Sequence, residues 1–182
     1  MRVIAGTAKG IRLKTPKGNE VRPTADKVKE AFFSIIGNQV IEAIFLDLYA
    51  GSGAIGIEAL SRGADQCFFV EIKKENVKLI QENLSKTGVA NHASLIKGDA
   101  QNIIPELARD NLKADLVYLD PPYAFTELAE VINAIEQTEL LKDNGLLIIE
   151  HDFRNRQWIN NFNVSGQKKY GDTCLTFIKL PN

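Results

Sequence analysis

Cysteine, histidine, tryptophan and methionine are scarce in this chain of 182 residues, with two, two, one and one respectively. Cys67 and Cys174 are too few and too far apart for a disulfide framework or a zinc site, and Cys67, inside Cys67-Phe68-Phe69-Val70, reads as a core residue. No metal is expected. His92 and His151 have no recognisable partner pattern and read as ordinary surface or loop residues, and Trp158 as a packing residue. No apolar run approaches the roughly 18 residues of a membrane span. Nothing resembles a signal peptide, so the expectation is a soluble, cytoplasmic protein. There is no internal repeat or low-complexity segment, and no apolar stripe is left over to suggest an oligomer, which favours a monomer.

Net charge is also scarce, at −1, but it is unevenly spread. Residues 1–29 hold eight Lys/Arg against Glu20 and Asp26, a balance of +6, so the rest of the chain must carry −7. Such asymmetry suggests an anionic partner at the N-terminal end; a solvated basic face is the bland alternative.

What is present is a clear alternation of short apolar runs and amphipathic stretches. Arg2-Val3-Ile4-Ala5-Gly6 and Gly10-Ile11-Arg12-Leu13-Lys14, with a tight turn between them, read as a basic β-hairpin. After the loop Pro16–Asn19, Thr24 reads as a helix N-cap. Val28, Ala31, Phe32, Ile35 and Ile36 share one face of that helix, Lys27, Lys29 and Glu30 the other, and Gly37 ends it. From Ile44 the pattern predicts strands over Ile44–Leu48, Gln66–Glu71, Ser94–Lys97, Asp115–Leu119 and Leu146–Glu150. Helices are expected over Ala54–Ser61, Lys74–Thr87, Asn102–Arg109 and Phe125–Gln137. This order means an α/β fold with a mostly parallel sheet and helices on both faces. Phe162–Gln167 and Cys174–Leu180, joined by a turn over Lys168–Asp172, should pair antiparallel. Residues 1–40 read as an appendage to a domain spanning 41–182.

The chain is organised around Asp120-Pro121-Pro122-Tyr123, placed where a buried strand leaves the sheet. In open α/β sheets ligands bind at that edge. Asp120 can accept a hydrogen bond from an amine. Pro121 has a fixed φ and no N–H, so its carbonyl can be held as a second acceptor, and Tyr123 offers a ring for stacking. Together they make a clamp for a flat, amine-bearing ring.

The cofactor signal precedes it. Asp47-Leu48-Tyr49-Ala50-Gly51-Ser52-Gly53-Ala54-Ile55-Gly56 follows a strand and opens a helix, Gly51, Gly53 and Gly56 match G-x-G-x-x-G, and Glu71 ends the next strand. Glycines admit an adenosine-bearing cofactor and a carboxylate grips its ribose. The motif alone fits a nicotinamide enzyme as readily as a methyltransferase. Asp47, four residues before the first glycine, can meet a cationic amino-acid tail, and Asp99 in Gly98-Asp99-Ala100 is placed for an adenine amino group. With Asp120 these make four acids on one sheet edge, which would repel a pyrophosphate and tolerate a sulfonium. The cofactor-binding candidates are Asp47, Tyr49, Ala50, Gly51, Ser52, Gly53, Gly56, Glu71, Ile72, Asp99 and Ala100.

At this point the chain resembles class I S-adenosylmethionine-dependent methyltransferases, and more narrowly the RsmD-like family of 16S ribosomal RNA guanine-N2 methyltransferases. The matching stretches are Arg2–Gly6 with Gly10–Leu13, Arg22–Phe33, Asp47–Gly53 with Glu58–Ala64, and Asp120–Tyr123. The resemblance implies a Rossmann-like, seven-stranded sheet with its last strand antiparallel. It implies S-adenosyl-L-methionine as cofactor, methyl transfer to a guanine N2 amine by the residues Asp120, Pro121, Pro122 and Tyr123, and a 16S ribosomal RNA partner within the small subunit or its assembly intermediate. Arg2, Lys9, Arg12, Lys14, Arg22, Thr24, Lys27 and Lys29 would then hold the RNA. Lys9 and Lys27 stand where arginine is common in the family, which loses bidentate phosphate geometry. The competing readings are an amino-methyltransferase acting on DNA or a protein glutamine, a nicotinamide oxidoreductase, which leaves Asp99 and Asp120 without a role, and an RNA-binding assembly factor.

Overall fold

The computed structural model describes residues 1–16, 23–122 and 127–180. Arg22, Tyr123 and Phe125 lie outside the described residues, as do the side chains of 23–25. The elements are α1 (Pro23–Ile36), β1 (Ile44–Leu48), α2 (Ala54–Ser61), β2 (Gln66–Glu71), α3 (Lys74–Thr87), β3 (Ala93–Lys97), α4 (Ala100–Arg109), β4 (Ala114–Leu119), α5 (Leu128–Gln137), β5 (Leu141–Asp152), β6 (Val164–Tyr170) and β7 (Thr173–Ile178). No helix among the described residues is long and apolar enough to cross a membrane.

The seven strands lie in the order β3-β2-β1-β4-β5-β7-β6. Strands β1 to β5 pair parallel, β7 runs antiparallel to β5, and β6 antiparallel to β7. Six strands therefore share one direction and β7 alone opposes them, as the resemblance implies. The chain leaves β1 toward β2 and β3 and then returns to the other side of β1 as β4. This reversal opens a crevice between the carboxyl ends of β1 and β4.

Side chains alternate across the sheet, and the two faces form separate cores. Phe45, Phe69, Tyr118, Ile148 and Leu175 pack with α1, α2 and α3. Leu46, Leu48, Val70, Val117, Leu119, Leu147 and Ile149 pack with α4 and α5. Cys67 is fully buried and Trp158 packs against His151 and Phe162, as the sequence suggests.

Several boundaries differ from expectation. The N-terminal hairpin is one isolated bridge, Arg2 to Arg12, without extended strands. Backbone hydrogen bonds still close it, from Val3 N to the Ile11 carbonyl at 3.0 Å, Gly10 N to the Val3 carbonyl at 2.9 Å and Leu13 N to the Met1 carbonyl at 3.1 Å, and side chains of α2 fasten it further. α1 runs over Pro23–Ile36, which places Thr24 within the helix and not before it. α4 starts at Ala100 because Asp99 caps it, accepting from Gln101 N at 2.9 Å. β5 starts at Leu141, and the β6–β7 turn is tighter than Lys168–Asp172 because both strands extend to it. His151 is not a surface residue. It is 5% exposed, its Nδ1 donates to the Asp152 carbonyl at 2.8 Å, and its Nε2 accepts from Thr176 Oγ1 at 2.8 Å.

Candidate active site

The acids gather as the strand order dictates. From β3 to β4 the carboxyl edge carries Asp99, Glu71, Asp47 and Asp120, each from the next strand across. Phe45, Phe69 and Tyr118 face the α1–α3 core, so Asp47, Glu71 and Asp120, each two residues further along its chain, point to the same side. Asp99 is exposed, whereas Asp47 and Glu71 are 2% and 6% exposed.

The buried pair organises the glycine loop. Glu71 accepts from Gly51 N at 2.8 Å and from Lys73 N at 2.7 Å, and Asp47 accepts from Gly56 N at 3.0 Å. Burial pushes the Asp47 carboxyl up to about 7, the Gly56 N–H working against the rise and Glu71 adding to it. The glycines do different jobs. Gly51 has φ +57°, and a Cβ there would meet nothing nearer than the Tyr49 carbonyl at 3.9 Å, so the loop is open above it. A Cβ on Gly56 would lie 2.3 Å from Phe69 and 2.5 Å from the Cys67 sulfur, so this glycine seats α2 on β2. Tyr49 holds φ +65°, a conformation uncommon outside glycine, just where the loop leaves β1. Burial, then Asp99 and Glu127, raises the pKa of its phenol. Ile72, next to Glu71, is 55% exposed, an apolar side chain available to a flat ring.

Asp120 stands across the crevice. Asp120 is an exposed residue that shares a narrow cleft with Glu150. Enclosure of its carboxyl there, then Glu150 and then Asp47, drives its pKa well above the usual carboxylate range. Pro121 and Pro122 follow it and line the same narrow cleft as Glu150 and His151.

An open glycine loop, two buried acids on backbone N–H groups and a further acid across the crevice suit a cationic adenosine cofactor, and the comparisons agree. The profile of the family described as conserved hypothetical protein 95 matches residues 1–179. The chain belongs to this family. It is the RsmD-like family that the sequence resembles. A Bacillus subtilis relative, YlbH, named provisionally as an rRNA methyltransferase, is 38% identical over 152 residues, covering 84% of this chain and 83% of its own. The ribosomal RNA small subunit methyltransferase D of Escherichia coli K12 is 32% identical over 177 residues, covering 93% and 87%. The solved structure of E. coli yhhF, described provisionally as a methyltransferase, superposes with a TM-score of 0.84 at 28% identity, covering 100% of this chain and 99% of that one. The fold is that of class I methyltransferases.

The N-terminal residues of this chain form an arm fastened to α2 and α3. Glu58, fully buried on α2, accepts from Ile4 N at 2.8 Å and Ala5 N at 2.9 Å, and pairs with Arg62 at 2.8 Å and Lys29 at 3.1 Å. Ser61 donates to the Ala5 carbonyl at 2.6 Å and accepts from Ala8 N at 2.9 Å. Asn83 on α3 accepts from Lys14 N at 2.8 Å and donates to the carbonyls of Lys14 and Ser52, both at 2.9 Å, tying the arm to the glycine loop.

Lys29 therefore corrects the sequence reading. It is 1% exposed, on the buried side of α1, with its ammonium on Glu58 and on the Arg2 carbonyl at 2.6 Å, so no phosphate can reach it. Burial lowers its pKa, with Glu58 opposing the fall. Arg2, Lys9, Arg12, Lys14 and Lys27 are exposed, and Lys14 pairs with Glu82 at 2.7 Å. Arg2, Lys9 and Lys27 border a cleft of about 280 Å³ together with Asp26 and Glu30. Glu58, Ser61, Asn83 and Glu150 escaped the sequence reading. For Glu150 a signal existed: it closes an apolar strand, as Glu71 does.

Proposed function

We propose that this protein transfers a methyl group from S-adenosylmethionine to the exocyclic N2 amine of a guanine in 16S ribosomal RNA, in the cytoplasm and within a small-subunit assembly particle. The observation that carries the reading is the pairing, across one crevice, of an acid-backed glycine loop with the Asp120-Pro121-Pro122 exit from β4. The names of the relatives supply the ribosomal RNA.

Gly51, Gly53 and the backbone of Tyr49 to Ser52 would hold the cofactor, Glu71 its ribose, Asp99 and Ile72 its adenine, and Asp47 its charged tail. The cofactor supplies an electrophilic methyl on a sulfonium. The guanine amine is a poor nucleophile because its lone pair is delocalised into the ring. Asp120 and the Pro121 carbonyl accept its two N–H groups and turn the lone pair toward the methyl. Tyr123 stacks on the base. Alignment supplies most of the rate gain, and the carboxylate stabilises positive charge developing on nitrogen. Asp120 need not be a strong base, since the amine becomes acidic as it is methylated. The base must leave its stack, which an RNA loop permits more readily than a duplex. Residues 1–40 serve as the docking part, with Arg2, Lys9, Arg12, Lys14, Arg22 and Lys27 on phosphates, and residues 41–182 as the catalytic part of a monomer.

The test offers tritiated S-adenosylmethionine and the enzyme to small-subunit particles, naked ribosomal RNA, DNA and bulk protein, followed by digestion of the product. Label in N2-methylguanosine from ribosomal RNA is expected. Label confined to DNA or protein overturns the substrate. Asp120→Ala should nearly abolish turnover while leaving cofactor binding largely intact; normal turnover in that variant overturns the mechanism.

A further inference from the structure

The row of acids does not end at Asp120. β5 is the next strand after β4, and its register pairs Leu119 with Ile149, so Glu150 is the direct neighbour of Asp120. Leu119 and Ile149 both face the α4–α5 core, while Tyr118 and Ile148 face the other. Asp120 and Glu150 thus emerge on the same face, from strands about 4.8 Å apart. Both line one cleft of about 10 Å³, scarcely room for a single water, together with Pro121, Pro122 and His151.

Glu150 is anchored from below. Tyr118, fully buried and two residues before Asp120, donates its phenol O–H to Glu150 Oε2. Nothing in the methyl-transfer scheme uses this half-buried carboxylate or this phenol. Other titratable groups near the pair are Asp47 on β1 and His151 and Asp152 on β5. β7 sets Leu175 opposite Glu150 and Cys174 opposite His151. α1 adds the Phe32 ring, 4.9 Å from that of Tyr118. Burial holds His151 toward its neutral form, and its ring is committed to Asp152 and Thr176.

We propose that Asp120 and Glu150 form one proton-sharing pair, in which Glu150 is a positioning residue that governs whether Asp120 meets the substrate amine as a carboxylic acid or as a carboxylate. This rests on the reading of Asp120 as the amine's acceptor. Two adjacent carboxyls in a narrow cleft do not both ionise readily, so one proton stays with the pair. The Tyr118 hydrogen bond favours the ionised form of Glu150, which leaves the proton on Asp120. Enclosure raises both groups, the Glu150 charge raises Asp120 further, and the Tyr118 hydrogen bond opposes the rise at Glu150. Asp120 becomes an anionic acceptor able to take the amine's proton only when that proton leaves. After methyl transfer the amine N–H bond breaks, its proton returns to Asp120, and the pair releases it to water.

The experiment has two arms. Carbon-13 NMR of the carboxyls in the cofactor-free protein should show Asp120 titrating above the ordinary carboxylate range. In Glu150→Gln, which keeps an acceptor for Tyr118, that midpoint should fall by about one pH unit or more. In the second arm, kcat/KM on ribosomal RNA is followed against pH. The acid limb should move down with the midpoint, so activity at the foot of the wild-type limb, relative to its plateau, rises about tenfold. Tyr118→Phe removes the hydrogen bond that favours ionised Glu150, so Glu150 should titrate higher in that variant. A Glu150→Gln protein that folds, yet keeps the wild-type midpoint and limb and is merely slower at every pH, overturns the proposal. If Glu150→Gln does not fold, Asp120→Asn replaces it in the NMR arm. Glu150 must then titrate lower than in the wild type, and an unchanged value overturns the pairing. Failure of the wild-type enzyme to methylate any RNA overturns the functional reading instead, and the NMR arm still decides the pairing.

Discussion

Lys29→Met tests whether the N-terminal arm is fastened by a buried charge. The ammonium sits 3.1 Å from Glu58 Oε2 and 2.6 Å from the Arg2 carbonyl, with both side chains of the ion pair closed to solvent. Methionine keeps the length and apolar stem of lysine and removes only the charge. Breaking a buried pair by removing one partner costs about 3–5 kcal/mol, because the remaining charge loses its compensation. Glu58 keeps Arg62 at 2.8 Å and the N–H groups of Ile4 and Ala5, so the low end applies, about 3 kcal/mol. In a chain of this size each kcal/mol shifts Tm by about 2–4 °C, giving a fall of about 6–12 °C in differential scanning calorimetry. A variant within about 2 °C of wild type refutes the reasoning. The companion Lys27→Met should leave Tm unchanged and lower the salt slope of RNA affinity by up to about 1, whereas Lys29→Met, once folded, should leave that slope alone.

Asp47→Asn should show the opposite sign in stability. Its folded carboxyl titrates at about 7 against an unfolded value of 3.8, so the folded state holds the proton more tightly. The group's stabilising contribution is complete below the unfolded value and is lost as pH rises to about 7. A span of about three units corresponds to about 4 kcal/mol, so the cofactor-free Asp47→Asn variant should match wild type in acid and exceed it by about that amount at mildly alkaline pH, in urea unfolding at several pH values. Gly56→Ala should destabilise by about 1–3 kcal/mol through the contact with Phe69 and Cys67, read as a lower urea midpoint; an unchanged midpoint would mean α2 can lift off β2 freely. RNA methylation should fall steeply with added salt, and a flat response would count against the basic docking face.

The sequence by itself determined the layered α/β plan, because strand and helix periods alternate without ambiguity from Ile44 onward and a helix between strands enforces parallel pairing. It also marked the glycine loop and the acids near the strand ends, since Glu71 and Asp120 follow apolar runs directly and Asp47 and Asp99 lie within two residues of a strand's end. It did not determine Lys29. A lysine next to the apolar face of a helix reads as solvated until Glu58, 29 residues later, is brought beneath it. Nor could it show how the hairpin is fastened to the rest of the chain: beside its own cross-strand hydrogen bonds, its backbone finds partners in Glu58 and Ser61. Only the fold decided that Glu150 stands beside Asp120. Thirty residues separate them in the chain, and their neighbourhood follows from the β4–β5 register, which places the two carboxyls on one face of the sheet above a phenol that neither end of the sequence announces.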